Sequence, residues 1–165
     1  IIRRDVFQAH NGFDERFFCY CEDVDLGYRL RLAGEDCVFV PDAVIRHAGS
    51  GLTGRNSDFA LRHGARNRMW TYVKNTPLPL FVFTLPGHVA LTCVLLARDL
   101  VTGRFRGTWS GLRDGLQGLG PFLSERKQLR TQRGVPVMKL AAAMCWNPIT
   151  LFARKSDVRT IRQET

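Results

Sequence analysis

Three acids, Glu22, Asp23 and Asp25, stand together just ahead of a pattern in which Leu26, Leu30 and Ala33 recur at i, i+4 and i+7. That spacing places them in the first turn of a helix, where the positive end of the backbone dipole keeps a carboxylate ionised at neutral pH and able to accept a proton. The same dipole makes acidic helix starts common, so an E-D-x-D string identifies no chemistry by itself. His47 follows Asp23 by 24 residues, at the end of an extended run. Imidazole is a common metal ligand, and a structural histidine is the alternative. Arg66 and Arg68 flank Asn67 and could hold phosphate or lipid head groups, or form a solvated helix face. His10, His63 and His88 have no comparable setting. Cys19, Cys21, Cys37, Cys93 and Cys145 are odd in number and lack C-x-x-C spacing, which reads as reduced thiols instead of a disulfide or zinc set.

The elements that must position these residues follow from local signals. Residues 1–4 read as the end of a buried strand, and residues 5–10 as a short helical turn stopped by Asn11-Gly12. After an aromatic-rich connector over 13–21, residues 22–33 form a helix closed by Gly34. An apolar run at 37–40 ends at Pro41, and 43–45 resumes extended structure. Strand, helix and strand in that order imply an α/β fold. Residues 48–57 have the Gly, Ser, Thr and Asn composition of a flap. A helix over 58–74 follows, capped by Ser57 or Asp58 and ended by Asn75 and Pro77.

The remainder is different in kind. Residues 78–97 carry no formal charge, and only His88 among them has an ordinary pKa near neutrality. Twenty such residues could cross a bilayer, but Pro79 and Pro86-Gly87 interrupt them and leave an unbroken helix only over 87–101. Leu112, Leu116, Leu119 and Leu123 stand at helical spacing near Trp109, as an interfacial amphipathic helix or a core face would. A last apolar stretch over 135–152 is broken at Asn147-Pro148. Charge divides in the same place: the net charge of +9 is +1 over residues 1–97 and +8 over 98–165. A basic tail after an apolar stretch points to an anionic membrane surface more than to nucleic acid. With 45% apolar residues, eleven Phe and 24% charged residues, a packed core is expected, not a disordered chain. The opening Ile1-Ile2, with no Met or leader, suggests a fragment of a larger protein.

The strings G-F-D-E-R-F-F at 12–18, E-D-V-D-L-G-Y-R-L-R-L-A-G at 22–34 and V-P-D-A at 40–43, with His47, R-N-R at 66–68 and N-T-P at 75–77, form one set. It closely resembles the C-terminal half of the catalytic domain of inverting family 2 glycosyltransferases, in the bacterial rhamnosyltransferase-like branch. The resemblance covers residues 1–77, and the apolar, basic remainder also looks like that branch's membrane-associated extension. Two departures stand out: Asn11 occupies a position usually held by glycine, and Cys19 and Cys21 replace larger apolar residues.

The resemblance implies the C-terminal part of a GT-A fold over 1–77, followed by a helical membrane-associating extension over 78–165. It maps the general base to Asp23, with Glu22 beside it, against the alternative of a mere helix-cap acid. Asp25 would orient the acceptor or serve the helix dipole. His47 would complete a divalent metal site, Mn²⁺ or Mg²⁺, whose carboxylates come from an absent N-terminal half, or touch the diphosphate. Asp14, Glu15, Arg29, Arg66 and Asn67 would bind substrate. The implied partners are a nucleotide-diphosphate sugar donor, possibly dTDP-rhamnose, and a glycan or lipid-linked acceptor. The implied location is the cytoplasmic face of the bacterial inner membrane, peripheral or re-entrant. Without the N-terminal half the fragment would be inactive. A non-catalytic membrane anchor and a nucleic-acid binder are the competing readings, the latter without a recognisable motif.

Overall fold

A computed structural model describes residues 1–38, 40–44 and 56–147. The element on which the others pack is α3, Asp58–Asn75. Ser57 caps it, its hydroxyl accepting the Ala60 N–H at 3.2 Å, with Asp58 in the first turn and Lys74 in the last complementing the dipole. Before it come α1 (Arg4–Ala9), a 3₁₀ turn (Glu15–Phe17) and α2 (Glu22–Ala33); after it come α4 (Leu78–Val101), α5 (Phe105–Gln117), α6 (Leu119–Gln132) and α7 (Val137–Ala143).

Glycine decides how α5 meets α3. Gly107, Gly111, Gly115 and Gly118 recur every three or four residues and face Asp58, Arg62, Met69 and Trp70 in that order. The two helices therefore run in the same direction at backbone contact. A Cβ on Gly111 would collide with the Arg62 carbonyl, and one on Gly118 would lie 2.7 Å from the Trp70 ring. The Trp70 indole N–H donates to the Gly115 carbonyl at 2.9 Å, and Arg62 pairs with Asp114 at 2.5 Å. In chain order between them, α4 runs back along α3: Tyr72 donates to the Phe81 carbonyl at 2.8 Å and stacks on His88, and Arg68 donates to Thr92 at 3.1 Å. At its far end the buried Asp99 accepts from Thr108 at 2.5 Å. Phe17, Trp70 and Phe122 form the main core cluster, with Trp70 and Phe122 stacked at 4.6 Å, and Leu32, Leu80 and Leu140 form a second.

Three expectations are corrected. Among the described residues there is no strand, so the α/β reading is not realised there. An extended apolar run becomes a strand only by pairing, and Val38, Val40 and Val44 lie exposed with no described segment beside them. Second, Pro86 does not break the apolar helix, which runs unbroken from Leu78 to Val101; Pro79 falls in its first turn, where no helical bond is lost. Third, the leucine spacing is not one face. The helix ends at Gly118, leaving Leu112 buried while Leu116 and Leu123 are exposed.

Candidate active site

The connector leading into α2 is held in an unusual backbone path. Asn11 and Gly12 take φ of 56° and 57°, so the turn expected at Asn11 forms, and a Cβ on Gly12 would lie 2.7 Å from the Phe7 ring. Phe18, Tyr20 and Cys21 also have positive φ, at 60°, 71° and 65°. Left-handed non-glycine residues cost about 1–3 kcal/mol each and persist only when surroundings over-determine them. Here the surroundings are the fully buried Phe17 ring and the Asn67 side-chain amide, which donates to the carbonyls of Phe17, Cys19 and Tyr20 at 2.8–2.9 Å. Arg66 reinforces the same loop, donating to the Phe17 carbonyl at 3.1 Å and to the Asn67 side-chain oxygen at 2.9 Å. Asn67 and Arg66, the residues expected on the substrate, thus also shape the connector.

Cys21 is the N-cap residue of α2, and Glu22, Asp23 and Asp25 follow in its first turn. Asp23 is exposed; one carboxylate oxygen accepts the Val24 N–H at 2.8 Å, and no ion pair engages it among the described residues. Glu22 is half-buried, and its Oε2 is shut off from solvent without a hydrogen-bond partner among them. Burial pushes the Cys21 thiol up to about 11, and the charges of Asp23 and Glu22 add to the effect. It stays protonated at neutral pH, in keeping with packing rather than thiol chemistry.

Asp25 has the opposite environment. It is wholly buried and accepts from Arg29 at 2.8 Å, Asn75 at 2.8 Å and Lys74 at 3.0 Å. Through Lys74 and Asn75 it ties α2 to α3. Lys74, itself 4% exposed, also donates to Asp14 at 2.7 Å. Arg16 joins Asp14 to Glu125 of α6, at 2.5 and 2.6 Å. Burial works to raise the Asp14 carboxyl, but hydrogen bonds from Arg16 and Lys74 prevail and hold it well below the usual carboxylate range. Arg29 completes the set by donating to the carbonyls of His10 and Gly12. Asp14 and Arg29 therefore brace the connector, α2 and α3 together, and both line a cavity of about 410 Å³. Glu15 is exposed in the 3₁₀ turn, apart from these contacts.

Lys74, Asn75 and Glu125 were missed as members of this network. Lys74 reads locally as a cation completing a helix end, and its acidic partners lie 49 to 60 residues away along the chain. His47 lies outside the described residues. Among those described, no three His, Cys, Asp or Glu side chains gather as a metal site would require.

Comparison with known proteins bears on the segment that builds this site. Residues 1–72 match the family described as Glycosyltransferase like family 2. The likeness is to family 2 of the glycosyltransferases, over 72 of the chain's 165 residues. That likeness supports a GT-A fold for residues 1–72. Over 108 residues the chain is 44% identical to N-acetylglucosaminyl-diphospho-decaprenol L-rhamnosyltransferase of Mycobacterium tuberculosis, a match covering 60% of this chain and 33% of the relative. It is 49% identical over 41 residues to rhamnosyltransferase WbbL of Escherichia coli, covering 25% of this chain and 16% of that protein. The matched region thus spans about a third of the length of the mycobacterial relatives. No solved structure matches.

Proposed function

We propose that this chain is the acceptor-side part of an inverting sugar transferase in which Asp23 is the general base. The observation that carries the reading is the contrast within one helical turn: Asp25 is buried and saturated, while Asp23 presents an exposed carboxylate from a family 2 segment. One Asp23 oxygen is steadied by the Val24 N–H. The other is left to take the proton from an acceptor hydroxyl as that oxygen attacks the anomeric carbon. The new carbon–oxygen bond forms on the face opposite the departing nucleoside diphosphate, so the configuration inverts, and the proton ends on Asp23. The relatives' names support L-rhamnose as the sugar and a lipid-linked or glycan acceptor.

The same reading places residues 78–165 on the cytoplasmic face of a membrane without crossing it. At about 1.5 Å per residue, the 24-residue α4 is about 36 Å long, enough to span the ~30 Å core. Its neighbours argue against that route. Both α3 and α5 lie alongside it and carry Arg62, Arg66, Lys74, Arg106 and Arg113, so a crossing would take these charges along. An apolar helix with only Leu80 and Asp99 buried, flanked by basic helices, supports lying in the interface.

Asp23→Asn tests the catalytic reading in the complete protein. Loss of the proton acceptor with little change in volume should lower kcat by at least about 10²-fold while nucleotide-sugar binding persists. Retention of more than about a tenth of the parent kcat would remove Asp23 from the role.

A further inference from the structure

A groove of about 510 Å³ opens between α6, the start of α4 and the start of α7, lined in part by Lys74 and Asn75 at the end of α3. Leu32, Leu123, Leu129 and Val137 give it an apolar interior. Its remaining wall is basic: Arg126, Lys127, Arg130 and Arg133 line it, and no acidic residue does among the described residues. Lys127, Arg130 and Arg133 form no ion pair among those residues, in contrast to Arg16 and Lys74, which are fully engaged with acids. Two buried polar atoms at this groove lack partners. Arg126 lies over the Phe81 ring at 4.3 Å and donates through Nη1 to the Val73 carbonyl at 2.7 Å, yet its Nη2 is buried with no acceptor. Asn75, 2% exposed, gives its amide N–H to Asp25 and leaves Oδ1 without a donor. Burying such groups unpaired costs about 1–3 kcal/mol each.

We infer that this groove is a binding site for one anionic glycerophospholipid, its phosphate held by Arg126, Lys127 and Arg130 and its upper acyl carbons packed on Leu123, Leu129 and Val137. The charge of the wall selects an anion and the interior selects an apolar tail. Lys127 and Arg130, exposed at the groove, supply the donors for the phosphate oxygens. Leu78 and Pro79, at the start of the exposed apolar α4, border the same groove, so a lipid seated there is continuous with the bilayer surface. The inference rests on the peripheral placement of α4 proposed above, but not on Asp23, which lies outside the groove.

The test is saturable binding of dihexanoyl-phosphatidylglycerol, below its micellar concentration, to the full chain by calorimetry. Dihexanoyl-phosphatidylcholine and inorganic phosphate serve as parallel ligands. Lys127→Ala/Arg130→Ala should weaken phosphatidylglycerol binding about 30-fold, at roughly fivefold per basic residue removed. Arg106→Ala/Arg113→Ala, which removes the same charge from exposed positions on α5, should leave it unchanged. Equal loss in both pairs would reduce the effect to net charge and overturn the site. Inorganic phosphate binding as tightly as the lipid would overturn the lipid assignment, as would phosphatidylcholine binding equally well. Unaltered circular dichroism in both pairs separates lost binding from lost folding. Asp23→Asn should retain lipid binding, so failure of the catalytic reading and failure of this one are distinguishable.

Discussion

Replacing Lys74 with Met keeps most of the side-chain volume and deletes the cation that ties α3 to α2 and to the connector. In the native chain its ammonium lies 2.7 Å from Asp14 and 3.0 Å from Asp25, with Glu125 at 3.6 Å. Asp14 would keep Arg16, and Asp25 would keep Arg29 and Asn75. Removing one member of a buried ion pair typically costs about 3–5 kcal/mol, and the surviving donors place this case at the lower end. With a urea dependence of about 2 kcal/mol per molar, roughly 3 kcal/mol moves the unfolding midpoint down by about 1.5 M. Circular dichroism against urea measures this directly. Adding Asp25→Asn to Lys74→Met should cost less than the sum of the single changes, because each removes the same contact. A single-variant loss below about 1 kcal/mol, the size of an exposed surface pair, would refute the argument that Lys74 is the hub.

Gly111→Ala should destabilise the chain by about 1–3 kcal/mol, since its methyl group meets the Arg62 carbonyl. Gly64→Ala, with open space around the added carbon, should instead stabilise by about 0.5–1 kcal/mol; paired thermal melts check both signs. Because the Asp14 carboxyl titrates below its ordinary value of 3.8 when folded, its stabilisation is complete above that value and is lost as pH falls toward the lowered one. Asp14→Asn should therefore flatten the acid limb of a stability-against-pH curve and leave its slope near neutrality unchanged. Reporter fusions after Lys74 and after Thr165 should both report the cytoplasm, with the protein sedimenting with membranes and partly released by high salt. A periplasmic C-terminus would overturn the peripheral placement.

The helices that carry the site were legible because their boundary signals are local. Gly34 takes φ of 101° at the end of α2, and Ser57 caps α3, both readable from adjacent residues. The apolar runs at 37–40 and 43–45 carry the residue types of strands, but pairing is a property of a second segment and cannot be read from one. Pro86 misled for a related reason: the break it implies assumes that a lost backbone bond ends the helix, whereas α4 continues through it. The α3–α5 seam was hidden because attention to leucine spacing passed over glycine spacing, and it is the missing side chains that let the two backbones meet. Asp23 could be singled out, but the division of labour among its neighbours depends on Lys74 and Glu125, whose distance along the chain leaves no local trace.

That division follows from helix geometry. Residues two apart on an α-helix differ by about 200° in direction, so Asp23 and Asp25 must face nearly opposite sides of α2. Three buried donors fix Asp25 and with it the rotation of the helix about its own axis. The left-handed residues at 18, 20 and 21 fix where the helix begins, and Asn67 holds that path by three carbonyls. Together these constraints leave Asp23 one outward direction. A change at Asp25 would then reach the reaction through the orientation of Asp23. Asp25→Asn should lower kcat and stability together, whereas Asp23→Asn should lower kcat alone.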